Sequence, residues 1–296
     1  KIQVPRGKIK LNGNKYEYYH DFENYLLIGT DATGNDKNGA DYQGSMADFL
    51  MLVIVDKTEN TYSFLQLNRD TMTEVALIDH NGEGEATANI QLCTAHWYGG
   101  NREQSCENTV KSVKKLLGGI QIDGYYELNM SEIPKLNNMV DGVTVTLEDD
   151  FSKKYPKMKK GATINLDDEQ AYAYVHDRYG VGDEENTSRM KRQQQYMTGF
   201  FKKLQEKVKA NPNYANEVFE SLQDVSTTDI TIGKISNISN IFASGTDKGI
   251  FELAGKSKIG QALGDEIDHM EFYVNKKAMV STMSELFGIV EQKNKE

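Results

Sequence analysis

Two apolar runs dominate the N-terminal third of the chain, "YLLIGT" at residues 25–30 and "FLMLVIV" at 49–55, each bounded by Gly or Asp. Short runs of this kind, without alternation, predict strands buried on both faces. "YSFLQLNRDT" at 62–71 alternates more clearly and predicts a third strand. Between the first two lies "DATGNDKNGADYQGSMAD", rich in Gly, Asn and Asp, a loop long enough to carry function.

From Gln104 to Leu117 the period changes: Val110, Val113, Leu116 and Leu117 recur at helical spacing, and Gly118 and Gly119 supply the stop. "IQIDGYYELN" alternates as a strand, "SEIPKLNNMV" opens on Ser131 as a helix N-cap, and "GVTVTLE" reads as strand again. "LDDEQAYAYVHDR" begins with acids and carries Ala171, Tyr172 and Val175, which predicts a helix ending near Asp177. An acidic, Gly-containing loop follows. "SRMKRQQQYMTGFFKKLQEKV" then predicts a helix capped by Ser188, with Met190, Met197 and Phe201 toward the core. "ITIGKISNISNIF" and "MEFYVNKKAMVSTMSELFGIV" continue the mixture without a linker or repeat. Strands alternating with helices predict an α/β class with a mixed sheet, in one domain.

Composition narrows the function. With 38% hydrophobic residues in 296, the chain buries a substantial core. A net charge of -10 repels a phosphate backbone and argues against general nucleic-acid binding. No run approaches the ~18 apolar residues of a membrane span, and the opening "KIQVPRGKIK" lacks an apolar signal core, as expected of a soluble stretch that follows a leader or membrane anchor. Cys93 and Cys106 bracket the turn-rich "HWYGGNREQS". That spacing suits a disulfide loop worth about 3 kcal/mol in an oxidising compartment, with a pair of free thiols as the alternative.

The arginines are unevenly spread: Arg178, Arg189 and Arg192 share one short window, and the others are Arg6, Arg69 and Arg102. Cations in the first turn of a helix oppose its macrodipole, so Arg189 and Arg192 cost stability there unless an anion binds or Asp183, Glu184 and Glu185 pair with them. Arginine suits phosphate because its planar fork is bidentate and permanently charged. Arg69 and Asp70 end a predicted strand, where open α/β sheets place ligands. Asp31 ends another and Asp48 precedes the next. Two such carboxylates suit Mg²⁺ shared with substrate phosphates, although each Asp taken singly reads as a turn residue.

"YLLIGTD", "SMADFLMLVIVD", "LNRDTM", "YGG", "IDGYYELN", "MVDGVTV", "LDDEQAYAYVHDR" and "SRMKRQQ" occur in the order and spacing of the LytR-CpsA-Psr family, which this chain resembles from about Tyr25 to Leu204. The resemblance implies an α/β catalytic domain over residues 25–296 with an apolar lipid tunnel, preceded by a juxtamembrane segment over 1–24 and an N-terminal membrane anchor. It implies an extracytoplasmic enzyme that moves a glycopolymer from a polyprenyl-pyrophosphate carrier to a peptidoglycan hydroxyl. Asp31 and Asp48 match the family's Mg²⁺-associated acids. Arg69, Arg178, Arg189 and Arg192 match its pyrophosphate-holding arginines, with Arg69, Asp70, Arg178 and Arg189 at the chemistry.

The chain departs from the family pattern at Met46 and His176, where arginine is usual, and at Asn186, where a carboxylate is common. His176 would still donate to phosphate when protonated, and Asp183 or Glu184 would stand in for the acid. The usual Lys-Ile-Asn before the glycine pair is replaced by the cysteine-bearing "QLCTAHWYGG". These departures leave a non-catalytic lipid-pyrophosphate carrier, a pyrophosphate hydrolase and a cell-surface interaction domain as alternatives to the transferase.

Overall fold

A computed structural model describes residues 4–31 and 42–292. In chain order the elements are β1 (Gly7–Leu11), β2 (Asn14–Tyr18), β3 (Phe22–Thr30), β4 (Ala47–Asp56), β5 (Thr61–Gln66), β6 (Met72–Ala76), β7 (Thr87–Gln91), α1 (Arg102–Leu116), β8 (Gly124–Asn129), α2 (Ile133–Met139), β9 (Thr144–Thr146) and β10 (Thr163–Asn165). They continue with α3 (Asp168–His176), α4 (Asn186–Ala210), α5 (Tyr214–Ser221), β11 (Ser226–Thr228), α6 (Ile232–Ser244), β12 (Thr246–Glu252), β13 (Gly255–Gly260), β14 (His269–Val274), α7 (Lys276–Phe287) and β15 (Val290–Glu291). The chain divides into two compact units: Lys1–Leu128 with Ser226–Ile230 and Gly245–Glu296, and Asn129–Val225 with Thr231–Ser244.

The first unit is built on a six-stranded sheet of order β11-β8-β3-β4-β5-β12. The neighbours β3–β4 and β4–β5 are antiparallel and β5–β12 is parallel, which makes the sheet mixed, as the alternation of elements predicts. Leu26, Ile28, Leu50, Leu52, Ile54 and Leu65 pack with Val113 of α1 and with Met279, Met283, Leu286 and Phe287 of α7. Full burial of such a side chain stabilises by about 1.5–3 kcal/mol, so the two apolar runs read from the sequence are the floor of this core. α1 ends as its glycines require: Gly118 and Gly119 take φ of +73° and +95°, and Gly119 N–H donates to Lys114 O at 2.8 Å.

Residues before Tyr25 are folded into this unit. β1 and β2 form a hairpin through Asn12 and Gly13, both at positive φ, and contribute Ile9, Leu11, Tyr16 and Tyr18 to the core. One irregularity lies where β3 ends. Gly29 faces Phe49 and Thr30 faces Ala47, so Asp48 is the extra residue of a β-bulge.

The second unit gathers Val143, Val145, Leu147, Phe151, Tyr174, Val175, Tyr196 and Phe200 into its own core. α3 starts with a reciprocal capping box between Asp167 and Gln170. α4 starts two residues earlier than its sequence suggests: Glu185 is the cap, and Ser188, already helical, donates its hydroxyl to Asp183 at 2.8 Å. Ser131 is likewise not a cap. Asn129 accepts from its N–H and opens the short turn Met130–Glu132 ahead of α2.

Candidate functional site

In the first unit, Arg69 is the centre of a compact polar group. Its Nη1 donates to Asp48, the bulged residue, its Nε lies 3.5 Å from Asp70 Oδ1, and its Nη2 approaches Met46 Sδ at 2.9 Å and Cys93 Sγ at 3.3 Å. Burial opposes the guanidinium charge, but Cys93, Asp48 and Asp70 outweigh it and raise its pKa. The bulge explains why Asp48 reaches Arg69: an inserted residue re-aims its side chain without changing the core register beyond it. Asp31 follows Thr30 at the same end of the β3–β4 pair, and residues 32–41 of the adjoining loop lie outside the described residues.

Among the described residues, no group of three or more His, Cys, Asp or Glu side chains is arranged to hold a metal ion. A cation shared with substrate phosphates needs only one or two protein carboxylates. Two Asp at the same end of one strand pair are a donor set that fits Mg²⁺ on those terms.

The disulfide expected between Cys93 and Cys106 is not formed, and both cysteines are free and buried. Each has another partner. Cys93 accepts from Arg69, while Cys106 Sγ lies 3.6 Å from His96 Nε2. His96 Nδ1 is 2.9 Å from the Ser45 carbonyl, which only accepts, so the ring carries its proton on Nδ1 and takes the Cys106 S–H at Nε2. Burial lowers the His96 pKa and raises that of Cys106, which keeps both neutral and the pair consistent.

Two residues outside the sequence reading join this unit's polar group. Glu127, 1% exposed, accepts from Thr30 Oγ1 and from Arg102 Nη2, each at 2.6 Å. The signal was available: Arg102 opens α1, where it opposes the macrodipole as Arg189 and Arg192 were argued to do, and Glu127 shares a strand face with Tyr125.

In the second unit the arginines divide by role. Arg192 is 1% exposed, and its Nε donates to Tyr174 O at 2.9 Å, its Nη1 to Asp149 at 2.5 Å and its Nη2 to Asp177 O. It fastens α4 to the C-terminal end of α3. Arg189, 6% exposed, donates to Asn186 Oδ1 at 3.0 Å. Arg178 stacks over the exposed Tyr179 ring at 4.6 Å, and its buried Nε has no hydrogen-bond partner among the described residues. His176 stacks on Tyr172 with ring centroids 4.6 Å apart and bonds Asp177 at 3.2 Å. Burial works to raise the Asp177 pKa, but His176 and Lys154 outweigh it and leave it lowered.

The sequence profile of the LytR_cpsA_psr family matches residues 3–287. The chain belongs to this family. Among curated proteins it is similar to the polyisoprenyl-teichoic acid–peptidoglycan teichoic acid transferase TagU of Bacillus cereus (strain AH820), 29% identical over 178 residues, which are 60% of this chain and 51% of that protein. The match thus spans about half the length of that relative. Among solved structures it resembles protein gbs0355 from Streptococcus agalactiae (TM-score 0.72, 21% identity, 92% of this chain and 90% of that one). It also resembles B. subtilis TagV (TM-score 0.65, 20%, 91% and 98%) and TagT bound to LI-WTA (TM-score 0.65, 20%, 90% and 91%). These likenesses show the fold. Set in the LytR_cpsA_psr family, the three departures acquire structural partners: Met46 touches Arg69, His176 pairs with Asp177, and Asn186 accepts from Arg189.

Proposed function

We propose that the chain is an extracytoplasmic transferase that moves a glycopolymer from a polyprenyl-pyrophosphate carrier to a hydroxyl of peptidoglycan. The name of its TagU relative supports this reading, and the carrying observation is Arg69, fixed by Asp48 and Asp70 with its Nη2 edge on two sulfurs. Arg69, Arg178 and Arg189 are the guanidinium groups assigned to the pyrophosphate. Arg192 is kept as the tie between α3 and α4, because its nitrogens already donate to protein.

The acceptor oxygen attacks the phosphorus that bears the glycan. That O–P bond forms, the anhydride P–O bond breaks, and polyprenyl phosphate leaves. Asp70 is the carboxylate assigned to take the acceptor proton. Such chemistry is mostly positioning and charge stabilisation. Asp31 and Asp48 would hold Mg²⁺, which when bound neutralises phosphate charge. For the carrier lipid, the second unit offers Leu204 of α4, Val218 and Phe219 of α5, and Ile235, Ile238 and Ile241 of α6, all apolar and only half-buried. Membrane attachment would come from an anchor outside these residues, since no helix described is long and apolar enough to cross a bilayer.

The test is incubation with a synthetic polyprenyl-pyrophosphoryl sugar, Mg²⁺ and a peptidoglycan fragment. Acceptor-dependent release of polyprenyl phosphate is expected, with Arg69→Ala lowering kcat/KM by about 100-fold or more while the circular dichroism spectrum is retained. Binding without product would make the protein a carrier, and release without acceptor would make it a hydrolase.

A further inference from the structure

Arg69 offers five N–H donors in a fixed fork, and its three nitrogens face acceptors of unequal strength. Nη1 and Nε face the carboxylates of Asp48 and Asp70, whereas Nη2 faces only sulfur, Met46 Sδ at 2.9 Å and Cys93 Sγ at 3.3 Å. Thioether and thiol are weak acceptors. A phosphate oxygen forms a charge-assisted bond of roughly twice the strength of a neutral one, so it displaces sulfur from Nη2 without having to displace a carboxylate.

The sulfurs are held by one short piece of backbone. The 3-10 turn Leu92–Trp97 begins with Cys93 N–H donating to Arg69 O at 2.9 Å and Leu92 N–H to Thr71 O at 2.8 Å, which fixes Cys93 against Arg69. The same turn fixes Met46. His96 Nδ1 bonds Ser45 O at 2.9 Å, and a Cβ at Gly44 would lie 2.4 Å from His96 O and 2.6 Å from Trp97 O. Segment 44–46 is therefore seated on the turn with no room for a side chain at residue 44.

We propose that Met46 and Cys93 are positioning residues: a sulfur cradle that aims the Nη2 edge of Arg69 at an incoming phosphate group and yields to it on binding. The cradle rests on the assignment of Arg69 to the pyrophosphate. It gives the chain's own Met46 a role in place of the arginine usual in the family. A strong acceptor at that position would hold Nη2 as well but would not yield, and an apolar one would yield but not hold.

The two halves separate by substitution. Met46→Gln puts a carbonyl oxygen within reach of Nη2 and is expected to raise KM for the polyprenyl-pyrophosphoryl sugar on the order of tenfold, the worth of one hydrogen bond to a charged group, with kcat changed little. Met46→Leu keeps the volume without an acceptor and is expected to raise KM by only about twofold to threefold. The same order is expected for binding of inorganic pyrophosphate, read by the emission of Trp97, the chain's single tryptophan, on the turn that carries Cys93. Wild-type turnover together with a KM and a pyrophosphate Kd for Met46→Gln within twofold of wild type would overturn the cradle. An equal loss in Gln and Leu variants would also overturn it, leaving Met46 a packing residue. Pyrophosphate binding in the expected order without any turnover would leave the cradle standing and remove the transferase reading instead.

Discussion

Arg102 Nη2 stands 2.6 Å from Glu127 Oε2, and the other Glu127 oxygen accepts from Thr30 Oγ1 at 2.6 Å. One carboxylate, 1% exposed, thus joins the first residue of α1 to the last residue of β3, next to Asp31. Removing it strands a partly buried guanidinium. Glu127→Ala is expected to cost about 3 kcal/mol, as breaking a buried ion pair does, and Thr30→Val about 1 kcal/mol for the single hydrogen bond. Urea unfolding curves measure both, and a Glu127→Ala midpoint equal to wild type would show that the tie is idle.

Arg192 is expected to behave as structure rather than as a substrate contact. Arg192→Ala should destabilise the protein by about 3–5 kcal/mol, and Arg192→Lys should recover little, because a single ammonium cannot span Tyr174 O, Asp149 and Asp177 O together. Amide hydrogen exchange should quicken at the C-terminal end of α3. A variant of unchanged stability whose loss is confined to KM would instead return Arg192 to the substrate.

Acidification is expected to weaken the fold through His96. Burial first, then Arg102, hold its pKa below the ordinary 6.5, against Glu127 and the Ser45 carbonyl, which raise it. Above pH 6.5 the ring is neutral folded and unfolded, and the native contacts carry their full stability. As pH falls through 6.5 the unfolded chain binds a proton that the folded chain refuses, so stability drops by up to about 1.4 kcal/mol per pH unit until the folded pKa is reached. His96→Asn, whose amide nitrogen can still donate to Ser45 O, should flatten this slope between pH 7 and 5. Identical Tm-against-pH curves for the two proteins would contradict it.

Both cysteines are expected to be reduced and shielded. Without reductant, a thiol reagent should find no fast-reacting group in the native protein and two after unfolding. Reductant should leave Tm unchanged. A thiol count that rises only after reduction would restore the disulfide.

What could be read from the sequence was whatever burial writes into a run of side chains. "YLLIGT" and "FLMLVIV" gave β3 and β4 because their strands are covered on both faces, and Gly118–Gly119 gave the end of α1 because only glycine takes that backbone cheaply. β13, almost wholly exposed, carries no apolar signature to read. At the site, Arg69, Asp48 and Asp70 were legible as strand-end residues and do meet. The partners of Arg192 were not, since two of its three acceptors are backbone carbonyls of α3 and its end, and a carbonyl has no letter. The cysteines misled for a related reason: spacing measures whether two thiols can meet, and here His96 and Arg69 were better placed to receive them.

The extra residue at Asp48 separates two inheritances in one strand. From Phe49 onward the cross-strand partners of β4 run in step with β3 and pack the interior, while residue 48 stands outside that count. Its chemistry is therefore open to revision, by selection or by design, without renegotiating the order in which the sheet interlocks.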